Sequence, residues 1–437
     1  MAAGSWQTAR GRLGAQKARR YASCSMNLSL SELPERCGVL VVGAGPAGSA
    51  AANVLAKAGL DVVLVDQRSF PREKVCGDGL IPDAHAALDK LGVLEEVMAR
   101  AQPAGHVACI GPRGGRIDVP GRLAVLPRRE LDDIVCRAAV CAGARMHAPV
   151  QFDEPLLDAV GRVCGAKLSH GKEHREIRAD WIVLASGAVP QALKAAGVCE
   201  RQTPAGVAMR AYVKNDAMVG RITELEVVWH RKLRPGYGWI FPCPDGVFNI
   251  GVGVVDSHGT GRDGHHTMQD VNLKRVFERF CECYAPAHEL MAGGVMQGSL
   301  KGAPLRFTLS GARFSRDGLL VTGEAAGSTY SFTGEGIGKA LETGMLAAHA
   351  LLRGRQQQWD DAAVRAHYEA GLMALKPRFD LYERANRVNA HPWLIDLVIW
   401  RARKSARLLK RMSGVLNETS NPGQLFSVKG FTRLFTE

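Results

Sequence analysis

No stretch of this 437-residue sequence reaches the roughly 18 consecutive apolar residues of a membrane span. The nearest, WLIDLVIW at 393–400, is short and holds Asp396. Aromatics are few, at 6%, and no segment repeats, which argues against a propeller or a solenoid. The eleven cysteines contain no CxxC, and Cys281 and Cys283 have poor spacing for a metal, so no metal is expected. Scattered single cysteines in an α/β chain fit a reducing, cytoplasmic setting. No secretory signal opens the chain. Residues 1–25 hold Arg10, Arg12, Lys17, Arg19 and Arg20 and no acid. That pattern suits an organelle transit peptide, or an over-extended start with Met26 as the true beginning. The net charge of +13 comes with no recognisable nucleic-acid reader fold, so no nucleic-acid partner is expected.

What is present is core material, 46% hydrophobic, enough for one large composite domain or two domains. The run CGVLVVGAGPAGSAAANVLAKAGLDVVLVDQ reads as buried strand, glycine turn, helix and buried strand, the pattern of a parallel sheet covered on both faces. A third buried strand, ADWIVLASGA, spans 179–188. From Gly206 to Val254 the segments become short, β-rich and punctuated by Gly and Pro, which predicts an inserted antiparallel sheet. Strand, turn and helix return at 318–352. The segment 371–437 reads as helical, and Arg401 to Arg411 carries six bases and no acid.

Gly43, Gly45 and Gly48 form GxGxxG between strand and helix, with Asp66 ending the second strand 23 residues after Gly43. The first glycine serves the tight turn and the second lets a pyrophosphate approach the backbone. The third lets helix pack on strand. Phosphates then lie on N–H groups at a helix N-terminus, and Asp66 is placed to accept from a ribose diol. No second copy of the fingerprint occurs; GVGVVD at 251–256 lacks the third glycine and a following helix. One dinucleotide is expected, and the fingerprint alone does not say which.

Four stretches in order, GAGPAGSAAA, FPREKVCGDGLIP, GYGWIFPCPDGVFNIGVG and GLLVTGEAAGSTYSFTGEGIGKALETG, resemble the geranylgeranyl reductase family of FAD-dependent oxidoreductases. That family lies within the group sharing the para-hydroxybenzoate hydroxylase fold, and the resemblance spans roughly 38–375. It implies an α/β fold: a Rossmann-like FAD-binding domain with a mixed, mostly parallel sheet, interleaved with an antiparallel-β substrate domain, and a helical C-terminal tail. The divisions expected are a disordered or extraneous extension at 1–34, and FAD-binding segments at 35–104, 125–204 and 305–370. Substrate-domain segments are 105–124 and 205–304, and the helical basic region is 371–437.

The resemblance implies FAD, with adenosine at Gly43, Gly45, Pro46, Ala47, Gly48 and Asp66. It places Arg72, Cys76, Gly77 and Arg128 along the cofactor, and the flavin at Gly323, Glu324, Gly334, Gly336 and Ile337. Glu324 stands where the family has an aspartate on the ribityl chain. Strand alternation puts Tyr237, Trp239 and Phe241 on one face, and the resemblance makes that face a wall for an apolar substrate. Cys76, Tyr237 and Trp239 are the expected catalytic residues, with Cys76, Tyr237 or a water as proton donor. Gly77 and Gly79 are expected to let the backbone pass close to the flavin. The family's lysine after the aromatic strand is Cys243 here, which weakens a diphosphate substrate. Ser186-Gly187 and Lys194 replace an Asp-Gly and an arginine typical of the hydroxylases.

The implied reaction is reduction of a C=C bond in a prenyl chain of a lipid, quinone or pigment precursor, by hydride from flavin N5. The electron donor is NAD(P)H or a small redox protein. The alternatives are a monooxygenase of the same fold group and a non-enzymatic electron-transfer flavoprotein. A halogenase fits poorly, since Tyr237 and Phe241 depart from its motif. Basic C-terminal helices suit a peripheral membrane contact.

Overall fold

The computed structural model describes residues 25–255 and 271–416. The β-branched runs of the sequence become the centre of an eight-stranded sheet. In spatial order its main path is Ser315–Arg316, Leu319–Val321, Glu173–Leu184, Arg36–Val42, Val62–Val65 and Arg145–His147. From Leu319–Val321 to Arg145–His147 every neighbouring pair is parallel. An antiparallel meander, Gln151–Leu157 with Val163–His170, leads into Glu173–Leu184. Val39, Leu40, Val41 and Val42 are all buried because helices cover one face and the meander side covers the other.

The second sheet has nine strands, ordered Val295–Met296, Gly206–Lys214, Val247–Val255, Gly236–Pro242, Leu225–Val228, Gln102–Ile110, Arg116–Val125 and Gly79–Leu80, with Lys301–Leu305 also paired to Gly206–Lys214. It is antiparallel apart from one pair: Leu225–Val228 runs parallel to Gln102–Ile110. Those strands come from separate excursions of the chain, so no hairpin constrains their direction. Gly79–Leu80, read as part of the 35–104 segment, pairs with Arg116–Val125 and so belongs to this second sheet.

The fingerprint helix Pro46–Lys57 packs on the long helix Ile337–Gln357. A Cβ on Gly344 would collide with the Ala47 backbone, so the contact is made backbone to backbone. Helix Asp361–Ala385, N-capped by Asp360, crosses the expected 370/371 boundary without a break and buries Tyr368, Leu372, Phe379 and Tyr382. The Tyr382 ring stacks on Tyr330 at 3.9 Å. This part of the 371–437 region is therefore core and not appendage. Trp393–Ala402 and Ala406–Leu416 follow; 417–437 lie outside the described residues.

The expectation for 1–34 divides in the same way. Residues 1–24 lie outside the described residues. The chain is firmly attached by Asn27, which exchanges hydrogen bonds with Phe70 at 2.7 and 2.8 Å, and by Leu30, which is buried.

Candidate active site

One cavity of about 860 Å³ runs between the two sheets. Its wall takes in Gly43, Gly45, Pro46, Ala47, Asp66, Arg72, Cys76, Gly77, Arg128, Tyr237, Trp239, Phe241, Glu324, Gly334, Gly336 and Ile337. Sixteen of the residues singled out in the sequence thus meet in one space. Gly48 and Gly323 stand behind the wall. A Cβ on Gly323 would come 2.6 Å from the Ala47 Cβ, so this glycine brings the late segment onto the fingerprint helix.

At one end the helix Pro46–Lys57 begins, and its first turn faces four charged side chains. Arg72 bridges Asp66 and Asp132, at 3.1 Å to each, and Arg128 grips Asp132 through two hydrogen bonds of 2.6 and 2.9 Å. Asp66 also accepts from the Ala44 and Arg68 backbone N–H groups at 2.9 and 3.0 Å. Asp132 is wholly buried, and removing either arginine would leave its charge underpaired, which costs about 3–5 kcal/mol in such settings. The charges of the four side chains cancel. An anion held here is bound by aimed N–H groups and the helix dipole, not by excess positive charge. Arg128, expected along the cofactor, is buried and not a solvated arginine of a surface helix.

This end fits a dinucleotide. A Cβ on Gly45 would stand 3.6 Å from the Arg72 guanidinium and 3.9 Å from that of Arg128, filling the cradle that the bare glycine leaves. On the facing strand end, the buried Ser186 Oγ lines the cavity without a protein hydrogen-bond partner. At the other end, Gly336 caps the helix Ile337–Gln357, giving a second helix N-terminus on the same cavity. Glu324 lies on the wall between, 3.9 Å from Lys74 Nζ. The residues present therefore fit FAD, the cofactor that the resemblance implies.

The opposite wall is aromatic. Tyr237, Trp239 and Phe241 share one face of Gly236–Pro242, as alternation requires, with ring centroids 6.3 and 6.5 Å apart. Trp229, 5.8 Å from Tyr237, and Phe332, 6.3 Å from Trp229, extend the row; neither was singled out in the sequence. Beyond them the lining becomes aliphatic and thiol, with Val107, Cys109, Val119, Ile395, Val398, Ile399, Met412, Val415 and Leu416. The C-terminal helices thus wall the cavity, a role that their sequence did not disclose.

The loop Cys76-Gly77-Asp78-Gly79 is fixed by a polar cluster that sequence reading left unassigned. The Asp78 backbone is left-handed, at φ 66°, and its side chain is fully buried. Its carboxylate accepts from Tyr212 Oη, from Asn249 Nδ2 at 2.7 Å and from the Arg128 N–H at 3.3 Å. Asn249 Nδ2 also donates to the Cys76 carbonyl at 2.8 Å, while Asn249 Oδ1 accepts from Trp239 Nε1 at 2.9 Å. Burial pushes Asp78 up to about 6, against the pull of Tyr212 and Asn249.

Two of the expected site features have protein partners here. Gly77 and Gly79 also lack side chains where the aromatic strand leaves little room for them. A Cβ on Gly77 would press on the Phe241 ring at 3.2 Å, and one on Gly79 would meet Leu225 at 3.3 Å. The glycines let the loop lie flat on the aromatic strand. The Tyr237 hydroxyl, expected as a proton donor, donates to the Thr333 carbonyl at 2.6 Å and so anchors the glycine loop before Ile337–Gln357. The Trp239 N–H is likewise committed to Asn249. Cys76 stays on the cavity wall, and burial raises its thiol, opposed by the nearby Arg128, so it keeps its proton at neutral pH.

Residues 36–272 match the model of a family described as "FAD binding domain". A menaquinone reductase of Mycolicibacterium smegmatis is 32% identical over 79% of this chain and 86% of its own. Digeranylgeranylglycerophospholipid reductase 1 of Methanopyrus kandleri is 27% identical over 76% and 84%. Among solved structures, a geranylgeranyl bacteriochlorophyll reductase-like protein of Thermoplasma acidophilum superposes with a TM-score of 0.73. It is 21% identical, covering 92% of this chain and 99% of its own. The flavin-dependent brominase Bmp2 superposes at 0.70 with 19% identity, covering 91% and 99%. These two share the fold.

Proposed function

Because the chain belongs to the geranylgeranyl reductase family of FAD-dependent oxidoreductases, we propose that it saturates C=C bonds in the prenyl chain of a membrane lipid or quinone. The observation that carries this reading is the continuity of the cavity. One space joins the dinucleotide cradle at Gly45, Arg72 and Arg128 to the aromatic row and then to an aliphatic end. A chain molecule fills such a space along its length, and a compact aromatic substrate would leave the aliphatic end empty.

When bound, FAD supplies the hydride. The protein's own residues supply the rest. The aromatic row of Trp229, Tyr237, Trp239 and Phe241 holds an apolar chain flat and excludes water. Asn249 and Asp78 fix the Cys76 loop against that row. In this reading the Cys76 thiol, on the wall and protonated, delivers a proton to an isoprenoid carbon. The helix N-terminus at Gly336 favours negative charge at its end of the cavity. The reductant is NAD(P)H or a small redox protein. A substrate of this kind resides in a bilayer, so the protein works as a peripheral enzyme on the cytoplasmic face of a membrane.

The test is anaerobic. Protein with bound FAD is reduced and mixed with a polyprenyl quinone or a geranylgeranyl lipid. Reoxidation together with a product heavier by two hydrogens per bond supports the reading. Reoxidation by oxygen alone, with a hydroxylated product, overturns it in favour of a monooxygenase.

A further inference from the structure

The helix Trp393–Ala402 is apolar on two sides. Inward, Ile395, Val398, Ile399 and Ala402 are buried, and three of them line the cavity. Outward, Trp393, Leu397 and Trp400 follow at i, i+4 and i+7, one stripe of a helix. Trp393 is 55% exposed and Trp400 48%, and among the described residues they are the exposed tryptophans. Lys404 continues the stripe, its Nζ 5.2 Å from the Trp400 ring. On the next helix, Ala406–Leu416, the same division holds: Met412, Val415 and Leu416 line the cavity while Arg407, Lys410 and Arg411 are exposed. The acid within 393–416 is Asp396, and it is turned inward, accepting from the Arg113 N–H at 3.1 Å.

Globular surfaces carry scattered apolar residues, but two exposed tryptophans on one helical stripe, bordered by bases and cleared of acid, form the pattern of an interfacial helix. Tryptophan suits the headgroup level, with an apolar ring and a polar N–H. The bases suit anionic headgroups, each near such a surface strengthening binding about fivefold. Among the described residues no helix is long and apolar enough to cross a membrane, so the contact is with the surface.

We propose that the outward stripe Trp393–Leu397–Trp400–Lys404 and the bases of the following helix seat the protein on an anionic bilayer. The two helices that wall the aliphatic end of the cavity then face the lipid, and the substrate chain enters past them. The docking surface stands on exposure and charge; the entry of the chain rests on the reading under Proposed function.

Sedimentation of the full FAD-bound protein with phosphatidylcholine vesicles, with and without phosphatidylglycerol, tests this. Wild type is expected to bind the anionic vesicles and lose them in high salt. The double variant Trp393→Ser, Trp400→Ser is expected to bind at least tenfold more weakly with its bound FAD and unfolding temperature unchanged. Lys404→Glu with Lys410→Glu, which leaves the apolar stripe intact, is expected to lose the preference for anionic lipid. Wild type that ignores anionic vesicles, or variants that bind as wild type does, overturn the proposal. Turnover separates it from the functional reading. Variants that reduce detergent-dispersed substrate but not vesicle-embedded substrate support both. Loss of vesicle binding on substitution, with no prenyl turnover by any form, leaves the surface standing and removes the reductase.

Discussion

Asn249 carries Trp239 on its oxygen and Asp78 on its nitrogen, the indole N–H at 2.9 Å and the carboxylate at 2.7 Å. One amide thereby couples the aromatic wall to the loop that bears Cys76.

Replacing Asn249 by Ala leaves a buried indole N–H, a carboxylate oxygen and a carbonyl short of a partner. Each such group costs about 1–3 kcal/mol, so Asn249→Ala is expected to lower stability by several kcal/mol. Asn249→Asp, which keeps the acceptor for Trp239 but sets a second acid against Asp78, should be little better. Urea unfolding of the FAD-free protein measures both; a change below about 1 kcal/mol would mean that water replaces the amide.

The Asp78 carboxyl is held at about 6 by burial, above its ordinary 3.8. Between those pH values the folded chain holds a proton that the unfolded chain has released. The contribution of this group to stability is therefore complete at low pH and is lost as pH rises through about 6. In Asp78→Asn the site no longer titrates. The stability of wild type relative to this variant should fall between about pH 4 and 6 and be level above about 7. A difference that ignores pH would mean that folding does not shift the Asp78 carboxyl.

Tyr237→Phe removes a hydrogen bond to Thr333, worth about 1 kcal/mol, and leaves the ring in the aromatic row. Turnover is expected to fall by no more than about tenfold. A proton donor lost from the reaction would cost on the order of 10²–10⁴. A drop of that size, without loss of FAD, would return the proton-donor role to Tyr237.

At Glu324 the carboxylate, 3.9 Å from Lys74, faces the cavity where the ribityl chain is proposed to lie. A hydrogen bond to a charged acceptor is worth about 1.5–3 kcal/mol. Glu324→Ala should bind FAD roughly ten- to a hundredfold more weakly, and Glu324→Asp should retain most of the affinity. Fluorescence titration of the FAD-free protein measures this; equal affinity in all three forms would move the ribityl contact elsewhere.

The sequence disclosed those parts of the site that depend on local pattern. The fingerprint glycines sit between a buried strand and a helix, and both flanks are periodic. Tyr237, Trp239 and Phe241 alternate, so their common face follows from the pleat. What escaped were partners fixed by tertiary contact. Asn249 lies in FNIGVG, where a lone polar residue in a buried strand shows no sign of what it satisfies. Asp78, an acid between two glycines, gives no sign in the sequence of the Tyr212 and Asn249 side chains that hold it. The packing of Gly77 on Phe241 also escaped, because a bare glycine has no direction until the strand beneath it is placed. The C-terminal helices read as a basic tail, since the charge of one face masks the apolar residues of the other. A signal was available: Trp393 and Trp400 are seven apart, two turns of one stripe, and that stripe is distinct from the buried one.

The contact of Ala47 with Gly344 has a consequence in time. It joins the fingerprint helix to the helix that Gly336 caps, across about three hundred residues of chain. Contacts so distant in sequence are slow to form. On the ribosome the fingerprint emerges early but has nothing to close against until the segment around Gly344 is free. Cofactor capture is thus expected to come late in the life of the polypeptide, and nascent chains stalled before that segment should show no flavin retention.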